Sequence, residues 1–176
     1  MNRFDRLRVL LVDDSADMRA LLRGILGGLG IRDVVEAADA ETCFAAMRDT
    51  PPDIVFIDWM MEPVDGLELT RRIRNDTNSP NIYVPIIMVT GHSEPERVKA
   101  ARDAGITEFL VKPVSPRSVV QRLVAIIEHP RPFVRTPTYF GPDRRRQNKP
   151  FDGPDRRRSK RAAKLASLEL EMKEEA

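Results

Sequence analysis

Five times in its first 128 residues this chain runs a short apolar segment into an amphipathic one, and that alternation leaves few folds open. Arg8–Val12 reads as a buried strand and Ala16–Gly27 as a helix that stops in a glycine cluster. Asp33–Glu36 is a second strand, followed by a helix from about Asp39 to Arg48. Pro51-Pro52 breaks the chain before Ile54–Ile57, a strand apolar on both faces, and a helix from Asp65 to Arg74 follows. A polar loop leads to the strand Pro85–Val89. Pro95 and Pro116 suit the first turns of two further helices, where a missing N–H costs nothing, and between them Thr107–Val111 is the fifth strand. Regular strand–helix alternation predicts a doubly wound α/β domain with a five-stranded parallel sheet and helices on both faces. In such sheets ligands gather at the carboxyl ends of the strands.

The polar residues at those ends are specific. Strand one ends in Asp13-Asp14, strand three in Asp58, strand four in Thr90, and strand five precedes Lys112. Carboxylates meeting in one cleft repel each other, and a hard divalent cation with oxygen ligands, Mg²⁺, relieves the repulsion while leaving room for phosphoryl oxygens. Asp58 is then a candidate nucleophile that accepts a phosphoryl group as an acyl phosphate. Lys112 would neutralise the added charge and Thr90 would offer a hydroxyl. Nothing beyond this cleft resembles a catalytic constellation, so an enzymatic output is not expected.

With Ile-Asp-Trp-Met-Met at 57–61, Val-Thr-Gly at 89–91 and Val-Lys-Pro at 111–113, residues 6–128 resemble the CheY-like receiver domain of bacterial response regulators. The resemblance implies Asp58 as phosphoacceptor, Asp13 and Asp14 as Mg²⁺-binding acids with the backbone carbonyl of Met60 as a further ligand, and a histidine kinase as partner. It also implies Thr90 as the switch hydroxyl, Lys112 as the phosphate-sensing lysine, Phe109 as the aromatic that moves on activation, and a commonly cis Lys112-Pro113 bond. Trp59, the single tryptophan, reads as a packing residue beside the acceptor.

Charge divides the chain after residue 128. Residues 129–176 carry 13 Lys/Arg against 7 Asp/Glu, in a chain whose net charge is only +2. Gly-Pro-Asp-Arg-Arg-Arg stands at 141–146 and again at 153–158, with Tyr139 and Phe151 two positions before each copy. A period of 12 residues is too short for a stacked structural repeat. The expected organisation is a receiver over 1–128, an arginine-rich ligand-binding tail over 129–160, and a short helix or frayed end over 161–176. Residues 129–158 are too poor in apolar side chains to fold alone and are expected to order on binding.

Each copy offers guanidinium groups that can fork onto guanine O6 and N7, stack on a base or pair with phosphate. Asp143 and Asp155 can accept from the N1–H and N2–H₂ edge of guanine, which adenine lacks. Tyr139 and Phe151 give stacking faces. Gly141-Pro142 and Gly153-Pro154 would turn the chain so that these groups point inward. Two such cassettes fit a ligand with two guanines, two phosphates and two-fold symmetry, cyclic di-GMP. A receiver followed by this repeat is similar to the Cle proteins, the CheY-like cyclic di-GMP effectors of Caulobacter and relatives. That resemblance implies a nucleotide site at Asp143, Arg144, Arg145, Arg146, Asp155, Arg156, Arg157 and Arg158, and a flagellar motor switch protein as partner, with motility and surface attachment as output.

Two other readings stay open: a basic tail that binds RNA or DNA through counterion release, and a plain chemotaxis-type phosphoswitch whose tail is a linker. The single cysteine, Cys43, cannot form a disulfide within the chain. With neither a secretory signal nor a long apolar span in the sequence, the protein is expected in the cytoplasm.

Overall fold

The computed structural model describes residues 4–144. Five strands and five helices alternate: β1 Arg8–Val12, α1 Ala16–Gly28, β2 Asp33–Ala37, α2 Ala40–Asp49, β3 Ile54–Asp58, α3 Gly66–Asn75, β4 Ile86–Thr90, α4 Pro95–Ala104, β5 Glu108–Val111 and α5 Pro116–Glu128. The strands form one sheet in the order β2-β1-β3-β4-β5, parallel throughout. This is the flavodoxin-like doubly wound fold that the alternation predicts.

Strands β3 and β4 are buried along their whole length, as a sheet covered on both faces requires. One face is filled by Leu10, Val55, Ile57 and Met88 with Met47, Leu69 and Ile73 from α2 and α3. The other joins Val9, Leu11, Phe56 and Val89 to Leu22 and Leu26 of α1 and Leu123 of α5. Helix starts follow their sequence signals. The side chains of Ser15, Asp39, Asp65 and Ser115 each accept a backbone N–H at the N-cap, and proline opens α4 and α5.

The structure departs from expectation after residue 128. Phe133–Thr136 (β6) and Tyr139–Pro142 (β7) pair as an antiparallel hairpin, where unstructured chain was expected. Gly141-Pro142 is therefore not a turn: it lies in β7, opposite Phe133 and Val134. The physical reason is docking against the receiver. Tyr83 meets the rings of Phe133 and Phe140 edge-on at 5.2 and 5.4 Å, and Phe133 and Phe140 lie 5.5 Å apart. Phe140 is only 7% exposed. A few aromatic residues thus suffice when the opposing surface already exists.

The hairpin touches the C-terminal ends of α3 and α4 and the start of β5. Arg131 donates to the Thr107 carbonyl and lies 3.7 Å from the buried Glu108. Arg144 pairs with Asp103 at 2.9 Å. Helices of this fold start at the carboxyl end of the sheet and return to its amino end, so the hairpin covers the end opposite the acidic cleft.

Candidate functional site

Local chain order sets the cleft. Asp13 follows β1, Asp58 and Thr90 are the last residues of β3 and β4, and Lys112 follows β5. Asp13 and Asp58 are 2% and 3% exposed. Asp58 Oδ2 accepts the backbone N–H of Met60 at 2.8 Å, and Lys112 Nζ lies 2.7 Å from Asp58 Oδ1. Asp13 Oδ1 accepts from the backbone of Ser15 at 2.8 Å, while Asp13 Oδ2 is buried without a partner. Burial pushes the Asp13 carboxyl above its ordinary value, and the neighbouring Asp58 charge adds to the shift.

These groups fit a divalent cation. Two carboxylates are buried side by side and Asp13 keeps one oxygen without a partner, a state that a hard cation resolves. Among the described residues no three His, Cys, Asp or Glu side chains close into a cage of their own. Asp14, beside Asp13, is exposed at the cleft's edge.

The cleft floor is tight. A Cβ on Gly66 would sit 2.1 Å from the Asp58 carbonyl oxygen, so only glycine lets α3 start so close to β3. Thr90 is buried, and its Oγ1 accepts the His92 backbone N–H at 3.0 Å. Trp59 is 7% exposed, meets Phe109 edge-on at 6.5 Å and lies beneath the Arg97 guanidinium at 5.6 Å. The Lys112-Pro113 bond is cis, as is Glu62-Pro63. Cys43 is fully buried, and burial pushes its thiol up to about 12, which leaves it inert. A groove of about 520 Å³ between α2 and α3, lined by Phe44, Val64 and Arg72 among others, holds none of the predicted site residues.

Of the first tail cassette, Gly141, Pro142, Asp143 and Arg144 are placed. Arg144 lies with its guanidinium carbon 3.9 Å from the Tyr139 ring centroid, and Tyr139 Oη donates to the Pro142 carbonyl at 2.7 Å. Arg145, Arg146, Phe151, Gly153, Pro154, Asp155, Arg156, Arg157 and Arg158 lie outside the described residues. The structure also brings forward residues that the sequence did not mark. Arg74 is 1% exposed and donates to the carbonyls of Gly105 and Ile82 at 2.9 Å each. Its guanidinium carbon is 5.1 Å from the Phe133 ring, and burial lowers its pKa to about 9.

A five-stranded doubly wound domain with two buried acids, a buried threonine and a lysine at its carboxyl end defines a receiver module. Residues 9–124 match the response regulator receiver domain family, and the chain belongs to it. It is 33% identical over 124 residues to the phosphate regulon transcriptional regulatory protein PhoB of Pseudomonas aeruginosa, covering 70% of this chain and 53% of the relative. It is also 33% identical over 124 residues to the chemotaxis protein CheY1 of Helicobacter pylori, covering 69% of this chain and 97% of that one. The match thus spans about half of PhoB but nearly all of CheY1.

Among solved structures, Vibrio cholerae chemotaxis protein CheY4 superposes with a TM-score of 0.63 at 29% identity, covering 69% of this chain and 98% of that one. The receiver domain of the Arabidopsis thaliana histidine kinase CKI1, complexed with Mg²⁺ and BeF₃⁻, gives 0.60 at 28%, covering 69% and 91%. The chain therefore carries the receiver domain of a CheY-type response regulator, a phosphorylation-switched signalling module. Among the described residues no helix is long and apolar enough to cross a membrane.

Proposed function

We propose that this protein is a non-enzymatic signalling effector with two inputs, phosphorylation at Asp58 and cyclic di-GMP at the arginine-rich tail. The flagellar motor switch is its target, with recruitment to the flagellated pole. The observation that carries the first input is the buried Asp58 carboxylate with Lys112 Nζ 2.7 Å away. An Asp58 oxygen attacks the phosphorus of a phosphohistidine on a kinase; the O–P bond forms as the N–P bond breaks, and the imidazole nitrogen keeps the electron pair and takes up a proton. Bound through Asp13, Asp14, Asp58 and the Met60 carbonyl, Mg²⁺ would balance charge on the phosphoryl oxygens. Lys112 holds the acceptor in place and offers a cation to the new anion.

The second input rests on the tandem repeat. Asp143 and Arg144 lead out of β7 with the Arg144 guanidinium over the Tyr139 ring, an arrangement of guanidinium, aromatic face and carboxylate suited to guanine. Isothermal titration with cyclic di-GMP tests it, on the wild type and on the Arg144→Ala, Arg156→Ala double variant, with cyclic di-AMP and single-stranded RNA as controls. Selective binding lost in the double variant supports the reading, and equal binding of all three anions sinks it.

One observation favours the plainer alternative, a phosphoswitch whose tail is a linker. A Cβ on Gly141 would lie 2.8 Å from the Cα of Gly105, so in the first copy glycine has a packing reason that owes nothing to a ligand.

A further inference from the structure

We infer that the groove between the α3–β4 loop and the hairpin binds a small phosphate-type oxyanion, held by Arg74 from the receiver and Arg135 from the hairpin. The groove, of about 490 Å³, is lined by Arg74, Asp76, Thr77, Asn81, Tyr83 and Arg135 among others. All of its lining lies within residues 74–83 and Arg135, so it shares no residue with the acidic cleft or the tandem repeat. The inference stands whether or not the tail binds a nucleotide.

Arg74 is a buried cation with an unspent donor. It is 1% exposed, which sets it at the floor of the groove rather than its rim. Its Nε and Nη1 donate to the neutral carbonyls of Gly105 and Ile82, and its Nη2 is buried without a partner. Among the described residues no carboxylate pairs with it. Buried charges ordinarily come with a counter-ion, since a lone charge away from water is costly. A water molecule would satisfy Nη2 but leave the charge unbalanced, whereas an anion does both. Arg135 supplies a second cation. Its guanidinium carbon lies 4.1 Å from the Phe140 ring centroid, and that stacking holds the plane of the fork while leaving its N–H edge for a ligand. Among the described residues Arg135 too has no carboxylate partner. Asp76 is the single acid of the lining, and its Oδ1 accepts the Asn78 backbone N–H at 2.8 Å. Asn81 Oδ1 accepts the Tyr83 backbone N–H at 2.9 Å, which leaves its amide nitrogen as a further donor.

The two cations come from different elements, α3 and β6. A tetrahedral phosphate can turn separate oxygens to each, where a planar carboxylate serves one fork at a time. An anion held between them would bridge receiver and hairpin, adding to the packing of Tyr83 on Phe133 and Phe140. Docking of the hairpin would then strengthen with anion concentration.

The test is a residue-resolved NMR titration of the full chain with inorganic phosphate, at constant ionic strength and without Mg²⁺, with acetate as the comparison anion. The signals to follow are the backbone amides of 75–83 and Arg135 and the Arg74 Nε–H, which separates this groove from binding by any other arginine. Saturable shifts at these signals are expected, with acetate binding more weakly. Arg135→Gln removes a charged donor and should weaken phosphate binding roughly tenfold. Asp76→Asn removes the acid but keeps an acceptor for Asn78, and it should tighten binding. That opposite sign keeps the test valid if Arg135→Gln loosens the hairpin, because a loosened fold tightens nothing. Shifts that do not saturate, or affinities that both variants leave within twofold of wild type, would overturn the site. Acetate binding as tightly as phosphate would overturn its assignment to a phosphate-type anion.

Discussion

The two ends of the sheet bury charge of opposite sign, and each does so with different partners. At the carboxyl end, Asp13 and Asp58 are buried, Asp58 against the Lys112 ammonium and Asp13 with one oxygen lacking a partner. At the amino end, the buried cation Arg74 donates from Nε and Nη1 to the Gly105 and Ile82 carbonyls and packs against the Phe133 ring, with Nη2 left without a partner. Asp58 is paired with Lys112, so the Asp13 oxygen without a partner is the costly one to bury. The bonds from Arg74 Nε and Nη1 fasten the crossing of α3, the loop before β5 and the hairpin, while its Nη2 is buried without a partner. Helix α4 reaches both ends: Arg97 near its start lies over Trp59, and Asp103 near its end pairs with Arg144.

The comparison can be broken at either end. The largest effect is expected at Asp58: Asp58→Asn should abolish incorporation of phosphate from a small-molecule phosphodonor, read by intact-protein mass spectrometry, with the fold unchanged. Arg74→Ala comes next. It leaves the buried Gly105 carbonyl and the half-buried Ile82 carbonyl without this donor and opens space under Phe133, so it should cost about 3 kcal/mol in urea unfolding and release the hairpin to proteolysis. A variant as stable as wild type would show that Arg74 fastens nothing.

Asp13→Asn should do the reverse at the other end. The folded-state pKa of Asp13 is raised, so the native state binds more protons than the unfolded chain between the two values, and stability falls as pH rises through that window. Above it the neutral variant should melt higher, by about 3 °C, with the gap closing as the pH is lowered toward 3.8, the ordinary value. The smallest effect is expected at Asp103→Asn. The exposed pair with Arg144, 42% open on both sides, contributes well under about 1 kcal/mol, and freeing Arg144 should tighten cyclic di-GMP binding slightly rather than weaken it.

The receiver was legible in the sequence because apolar strands alternate with amphipathic helices and two of those helices open on prolines, Pro95 and Pro116. Strand boundaries shifted by one residue, as where the fourth starts at Ile86 rather than Pro85. The cleft was legible because acids, threonine and lysine each follow a strand. The hairpin was not, because its folding information lies elsewhere in the chain. Phe133 and Phe140 stand among prolines and arginines, and only the distant Tyr83 and Arg74 give them something to cover. Arg74 itself reads locally as an ordinary cation in a last helical turn, a position that favours positive charge on exposed helices; nothing near it in sequence signals that it is buried.

The most direct test of two separately loaded ends is amide hydrogen exchange of the full chain with Mg²⁺ and BeF₃⁻, and then with cyclic di-GMP. The first addition should protect the segments around Asp13, Asp58 and Lys112. Cyclic di-GMP should protect the hairpin at 133–142. Protection of the cleft by cyclic di-GMP, or no protection of the hairpin, would contradict the account.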